Sequence, residues 1–458
     1  MAGGLTREIP VRDWLGNAIT AGNGATVAGI DDFIGGFLGY ETRAMNVLGA
    51  ADADADSALA NAYAAMLWLF LESPEGPAKA APYLTRAEAA AGRAGERERL
   101  TVAATRAWAD NDIPRALALG EQAAAAFPRD LALAKATQYH FFNLGDAPGM
   151  LRVAGAVLPA ATDVPYAHGL AAFAYEQCHM LDDAEHAARK AIALRRKEPW
   201  AHHALAHVLL TQGRNEEGRA FLEEMKATWT DLNSFMLTHN WWHLSLVMIE
   251  QGEAEKVLDH YATHIWGVWK EYSQDQIGAV SLLARLELAG VDVGDRWQDL
   301  AAHLVPRLHE HVQPFLDMHY LYGLARAGRP EAVAMLDSVR AHAEAAPAFA
   351  RAAWHDVAIV ACEGLMAHAR GEYAVAARHL LSVLPRMAEI GGSHAQRDLF
   401  EQLTDDALIR AGKLAAAQNR LEQRRAGNPH SAPTLAKLAA VYRGLGLPGE
   451  AARLDNRA

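Results

Sequence analysis

A glycine that stops one helix, followed within a few residues by an acid that starts the next, recurs along most of this chain. No other feature restricts the fold as much. The pattern stands at Gly213-Arg-Asn-Glu-Glu, Gly252-Glu-Ala-Glu, Gly328-Arg-Pro-Glu-Ala and Gly444-Leu-Gly-Leu-Pro-Gly-Glu-Ala, with further stops at Gly145, Gly290, Gly371 and Gly412. Glycine adopts the left-handed backbone that ends a helix, and a carboxylate is stabilised at the positive end of the helix that follows. Between the stops run amphipathic stretches of about 12–17 residues, the length of ordinary helices, and no strand-like alternation persists. Residues 200–213 pair with 216–228 and 234–252 with 254–265, while 115–127 is followed by 130–144.

Such pairs return at about 35–40 residues, the span of a tetratricopeptide-like repeat. The fold expected is therefore all-α, a tetratricopeptide-like helical-repeat superhelix (an α-α solenoid) able to close around a central cavity. Alanine runs at 87–91, 123–126 and 343–346 agree, because alanine favours helix and lets helices approach closely. A chain of 458 residues would ordinarily suggest two or three domains. A solenoid escapes that expectation, since each repeat packs only on its neighbours. The division expected is a glycine-rich, non-repeat helical segment over 1–50, packing on repeats that fill 51–458.

The net charge of −12 predicts no nucleic-acid partner, because phosphate contacts need clustered Lys and Arg. No apolar run approaches the roughly 18–20 residues of a membrane helix, so no membrane partner is expected. The opening MAGGLTREIP lacks the charged start and apolar stretch of a secretory leader. Cys178 and Cys362 read as reduced thiols, which together with the missing leader predicts a cytoplasmic protein.

Histidine is unusually frequent, at 21 residues, and it clusters in the middle of the chain. WAHHALAHVLL sets His203 and His207 four apart, and THNWWHLSL sets His239 and His243 four apart. Residues at i and i+4 share a helix face, so each pair can direct two imidazoles at one point. FLDMHYLYG adds Asp317 and His319, and GGSHAQRDLF adds Gln396, Arg397 and Asp398. His140 and His168 lie upstream, and all of these fall on first helices of repeats, which line the concave face of a superhelix.

Two kinds of chemistry suit this set. In an acid–base reading, His203, His207, His239, His243 and His319 exchange protons under the influence of Asp317 or Asp398. Arg397 and Gln396 then hold an anionic group, His140 and His168 extend the groove, and Trp241 or Trp242 forms an aromatic wall. In a metal reading, His203, His207, His239 and His243 are the ligands of a divalent ion. The zincin glutamate beside the first histidine is missing from both pairs, where Ala204 and Asn240 stand instead. The bland alternative is that single histidines bridge helices, and that Arg397–Asp398 is a structural ion pair. The basic stretches DAEHAARKAIALRRKEP and LIRAGKLAAAQNRLEQRRAG read as solvated surfaces of second helices.

The segments WAHHALAHVLLTQGR, THNWWHLSLVMIEQGEAEKVLDHYATHI, VDVGDRWQDL and GGSHAQRDLFEQL resemble the tetratricopeptide repeat protein 38 family, which spans bacteria and animals, and the chain looks like a bacterial member. The likeness extends over nearly the whole chain. It implies an all-helical superhelix and brings no settled activity. His203, His207, His239, Trp242, His243, His319, Gln396, Arg397 and Asp398 fall on positions resembling the family's polar motifs. Relatives tend to carry a glutamate three residues after the second histidine of the first pair; here that position is Leu210, which weakens the metal reading.

Three functions follow as expectations. The first is a His/Trp/Asp/Arg-lined concave pocket that binds, and can transform by acid–base chemistry, a small polar or anionic molecule. The second is a metal-dependent, hydrolase-like enzyme using the two HxxxH pairs. The third is a non-catalytic interaction scaffold. The residue types in the groove favour a small molecule over a peptide, the sequence requires no cofactor, and self-association is compatible with it.

Overall fold

The computed structural model describes residues 11–455, which leaves Gly3, Gly4 and the opening segment read for a leader outside the described residues. Among the described residues there are twenty-four α-helices joined by short 3-10 and π turns, and no strand. The chain is an all-α, tetratricopeptide-like helical repeat. It divides into two compact units, one of residues 1–140 with 149–170 and the other of 141–148 with 171–458.

In the first unit, Ala58–Leu69 packs on Glu75–Ala90, and Glu96–Ala109 packs on Ile113–Ala126. The contact surfaces are small: Ala58, Ala62, Ala87 and Ala90 form one cluster with Val102, and Ala65 and Ala80 meet Leu69 and Leu84 in another. Alanine at these positions lets the helix axes approach, which is why the alanine runs are also the repeat interfaces. Ser57 and Asp112 cap the helices that follow them, their side-chain oxygens accepting from Ala60 N and Arg115 N.

In the second unit seven helix pairs follow one another. Their first helices include Pro199–Thr211, Ser234–Glu250, Ser273–Leu288, Pro314–Arg326, Ile359–Ala369 and His394–Arg410, each packed against the next. The series also folds onto itself, because His394–Arg410 packs against Ser273–Leu288, and Ala432–Gly444 against Ser234–Glu250. The first helices are therefore covered on nearly every side. Eleven of the thirteen residues of Pro314–Arg326 are buried, against two of the fourteen in the second helix Leu414–Gly427. A polar side chain on a first helix must find its partner inside the protein.

The turns follow the glycine pattern. Gly145, Gly213, Gly252, Gly290, Gly328, Gly371, Gly412 and Gly446 all have positive φ. At Gly213 (φ +67°) a Cβ would also press on Asn428, so this turn needs glycine for space as well as conformation. The second half of the 234–265 pair differs from the expected helix. Val257–His260 is a single turn that continues as the π segment Tyr261–Ile265.

Candidate metal centre

His203 and His207 sit on Pro199–Thr211, and His239 and His243 on Ser234–Glu250, the next first helix. Packing these two helices face to face brings the four imidazoles into one cluster. His203 Nε2 lies 3.0 Å from His207 Nε2 and 3.2 Å from His239 Nε2. Ring centroids are 4.5 Å apart for His207 and His243 and 4.8 Å for His239 and His243. One potential ligand atom from each of the four falls within 4.8 Å of all the others. Four nitrogens around a tetrahedral ion at about 2.0–2.1 Å stand about 3.3 Å apart, which the separations of His203 from His207 and His239 match.

The surroundings are dry and aromatic. His203, His207 and His243 are each 1% exposed and His239 8%. Trp200 stacks on His203, Phe173 packs against both of these rings, and Trp242 lies parallel to His239 at 5.2 Å. Burial, reinforced by the neighbouring imidazoles, holds His203 and His243 neutral far below the ordinary histidine range, and lowers His239 to about 3. Neutral imidazole is the ligand form. The nitrogens are also under-used. His203 Nδ1 and both ring nitrogens of His243 have no hydrogen-bond partner within the protein.

Glu176, fully buried, places Oε1 3.4 Å from His207 Nδ1. Burial pushes this carboxyl up, but His207 and the more distant His394 outweigh it and hold it below the usual value. A carboxylate behind a histidine orients the ring and raises its basicity. This carboxylate comes from the preceding first helix, Pro165–Gln177. Sequence reasoning missed Glu176, although a lone acid inside the apolar stretch GLAAFAYEQ was a legible signal.

The remaining residues singled out from sequence do not join the cluster. Asp398 lines an adjoining cavity of about 250 Å³, together with Leu210, Thr211, Leu246, Arg285 and Arg424. Leu210 and Leu246 lie three residues, close to one turn, beyond His207 and His243, and Arg285 stands over the Trp242 ring, 5.4 Å from its centroid. Asp398 accepts from Arg424 at 2.6 Å and from Gln402 at 2.7 Å. Burial favours its neutral form, yet the guanidinium groups of Arg424 and Arg285 prevail and hold it at about 2. Arg424 and Arg420 therefore turn inward, Arg420 to Asp405 and Glu401, where the sequence pattern indicated a solvated face. Asp398 and Asp405 on the facing first helix are the reason.

Arg397 donates to the carbonyls of Gly391 and Gly392, and Gln396 closes a capping box with Ser393. His319 Nδ1–H donates to Phe315 O (2.8 Å), and the ring meets Phe400 edge-on. Asp317 is drawn to His311, 2.6 Å away. Trp241 points away from Trp242 and stacks on His264 at 3.7 Å. His140 and His168 belong to the first unit, where His140 meets Trp108 edge-on and His168 bonds Thr162 O.

No family model matches the chain. Among solved structures it is similar to the human IFIT1 dimer with m7Gppp-AAAA, at 13% identity and a TM-score of 0.37, covering 96% of this chain and 95% of that one. The P58(IPK) TPR domain matches at 14% identity and 0.22, covering 79% and 91%. The APC/C hetero-tetramer Cut9–Hcn1 matches at 11% identity and 0.21, covering 79% and 92%. These likenesses are of helical-repeat type. The expectations of no nucleic-acid partner and of a small molecule over a peptide are corrected beside these neighbours: the IFIT1 structure holds m7Gppp-AAAA, and Cut9–Hcn1 is a hetero-tetramer. Net charge sums over a whole surface and leaves any one patch undetermined. No helix among the described residues is long and apolar enough to cross a membrane.

Proposed function

We propose that this chain binds one transition-metal ion at His203, His207, His239 and His243, and that the ion ties two consecutive repeats of the second unit together. The observation that carries this reading is the convergence of four buried imidazoles whose ligand atoms lie within 4.8 Å of one another. A buried polar group without a partner costs free energy, and four clustered imidazoles, with idle nitrogens on His203 and His243, in an aromatic shell are hard to account for otherwise. Imidazole suits borderline ions such as zinc, copper, iron and nickel. With all four rings engaged the shell is complete, which is the arrangement of a structural site; Glu176 then fixes His207 from behind.

On the same footing we assign the chain to the tetratricopeptide repeat protein 38 family and to a reducing, cytoplasmic setting. The stretches HNWWH and GGSHAQRD support the first, and the free thiols Cys178 and Cys362 the second. The experiment that tests the centre is elemental analysis of tag-free protein, followed by chelation and zinc titration. About one equivalent of metal is expected, with a melting temperature that chelation lowers and zinc restores. Less than about a tenth of an equivalent, together with no zinc uptake by the chelated protein, removes the reading.

A further inference from the structure

Asp317 does not serve the four-histidine cluster, and its actual partners form a second constellation in the same unit. The loop before Pro314–Arg326 carries His309 and His311, and His311 has a left-handed backbone (φ +47°), an unfavourable conformation for a non-glycine residue. That conformation directs its ring between two groups. Nδ1 lies 2.6 Å from Asp317 Oδ2, and Nε2 lies 2.7 Å from Ser338 Oγ on the helix Glu331–Ala345. His309 Nδ1 reaches the same hydroxyl at 2.7 Å. Behind His311, His342 stacks on it at 4.8 Å and the buried Trp354 meets both rings edge-on.

One assignment of protons satisfies every contact. The carboxylate of Asp317 only accepts, so His311 Nδ1 must donate to it. Nε2 of the neutral ring then accepts, and Ser338 O–H donates to it. The lone pairs left on Oγ accept from His309 Nδ1–H. Burial raises the Asp317 carboxyl to about 6, so it is largely ionised at neutral pH. Asp317 is 1% exposed while Ser338 is only half-buried, so the acid is sheltered and the hydroxyl is reachable.

We propose that Ser338, His311 and Asp317 form a nucleophile–base–orienter triad that accepts an acyl group from an activated ester or thioester. The roles are set by geometry and not by sequence order. Oγ forms a bond to the acyl carbon as the bond to the leaving alkoxide or thiolate breaks, and its proton passes to His311 Nε2 and on to the leaving group. Water, deprotonated by His311, then attacks the acyl-serine; the carboxylic acid departs and the proton returns to Oγ. His309 Nδ1–H, which donates to Oγ at rest, is the neighbouring donor available to the acyl carbonyl oxygen, where charge develops during attack.

A fluorophosphonate probe reports the first step directly, because Oγ displaces fluoride from phosphorus by the same proton transfer. The full-length protein is treated with the probe, with and without prior chelation, and the labelled residue is located by peptide mass spectrometry. Ser338 is expected to carry the label under both conditions, so a failed metal centre and a failed triad are distinguishable. His311→Ala should slow labelling at least about a hundredfold, the usual worth of a positioned base. Asp317→Asn should slow it too, and Ser338→Ala should abolish it, with circular dichroism confirming folded variants. No label on Ser338 in folded protein, or labelling of equal rate in His311→Ala, overturns the proposal.

Discussion

Nε2 of His203 lies 3.2 Å from Nε2 of His239, across a separation of 36 residues. No element of local structure sets that distance. It arises because two successive first helices pack face to face, each with its histidines on the shared side. The two HxxxH pairs act as one group only in that packing. Whatever fills the group therefore stabilises the repeat interface itself.

Glu176→Gln keeps the volume and removes the charge behind His207. Loss of a carboxylate that supports a ligating histidine weakens metal affinity by about 10–100-fold. Competition with a chelator of known affinity measures this, and an unchanged zinc affinity would remove Glu176 from the account.

In the first unit, Arg97 is buried between Asp130 (3.0 Å) and Asp13 (3.5 Å), with exposures of 5%, 2% and 0%. Replacing the cation leaves two carboxylates inside with no counter-charge. Arg97→Ala should lower stability by about 3–5 kcal/mol in urea unfolding. Zinc stoichiometry should stay unchanged, since the four histidines lie in the other unit.

Burial lowers His140 to about 3 from an ordinary 6.5. The folded pKa is depressed, so the contribution to stability is complete above pH 6.5 and is lost as pH falls toward 3. The unfolded chain takes up the proton in that window and the folded chain does not. The slope is about 1.4 kcal/mol per pH unit. His140→Phe should therefore lose less stability than the parent between pH 6.5 and 4.5, by denaturant midpoints; parallel loss in both would contradict a neutral His140.

Gly392 precedes the Ser393 cap with φ +77°, and a Cβ there would stand 2.6 Å from Phe315 Cε2. Backbone strain and overpacking then act together. Gly392→Ala should cost at least about 2 kcal/mol. A midpoint shift worth less than about 0.5 kcal/mol, as at an ordinary surface site, would mean that the loop moves aside freely.

The helical repeat was legible because its signals are local. Turn glycines, caps and 3.6-residue periodicity act within one or two turns of helix, and Gly213, Gly252 and Gly328 end helices where the spacing indicates. The i, i+4 histidine pairs were legible for the same reason. What escaped depends on tertiary packing. Glu176 comes from the preceding first helix, Arg420 and Arg424 turn inward because Asp405 and Asp398 face them, and Asp317 leaves its helix neighbour His319 for His311 in the loop. The π segment Tyr261–Ile265 was equally hidden, since a run of helix-compatible residues does not announce the extra residue per turn.

The most direct measurement is a crystal of tag-free, zinc-loaded protein with data collected at the zinc absorption edge. The account predicts one anomalous peak inside the second unit, about 2.0–2.1 Å from a ring nitrogen of each of His203, His207, His239 and His243. Four imidazoles at the same separations with no anomalous peak among them, in crystals grown from zinc, would contradict it.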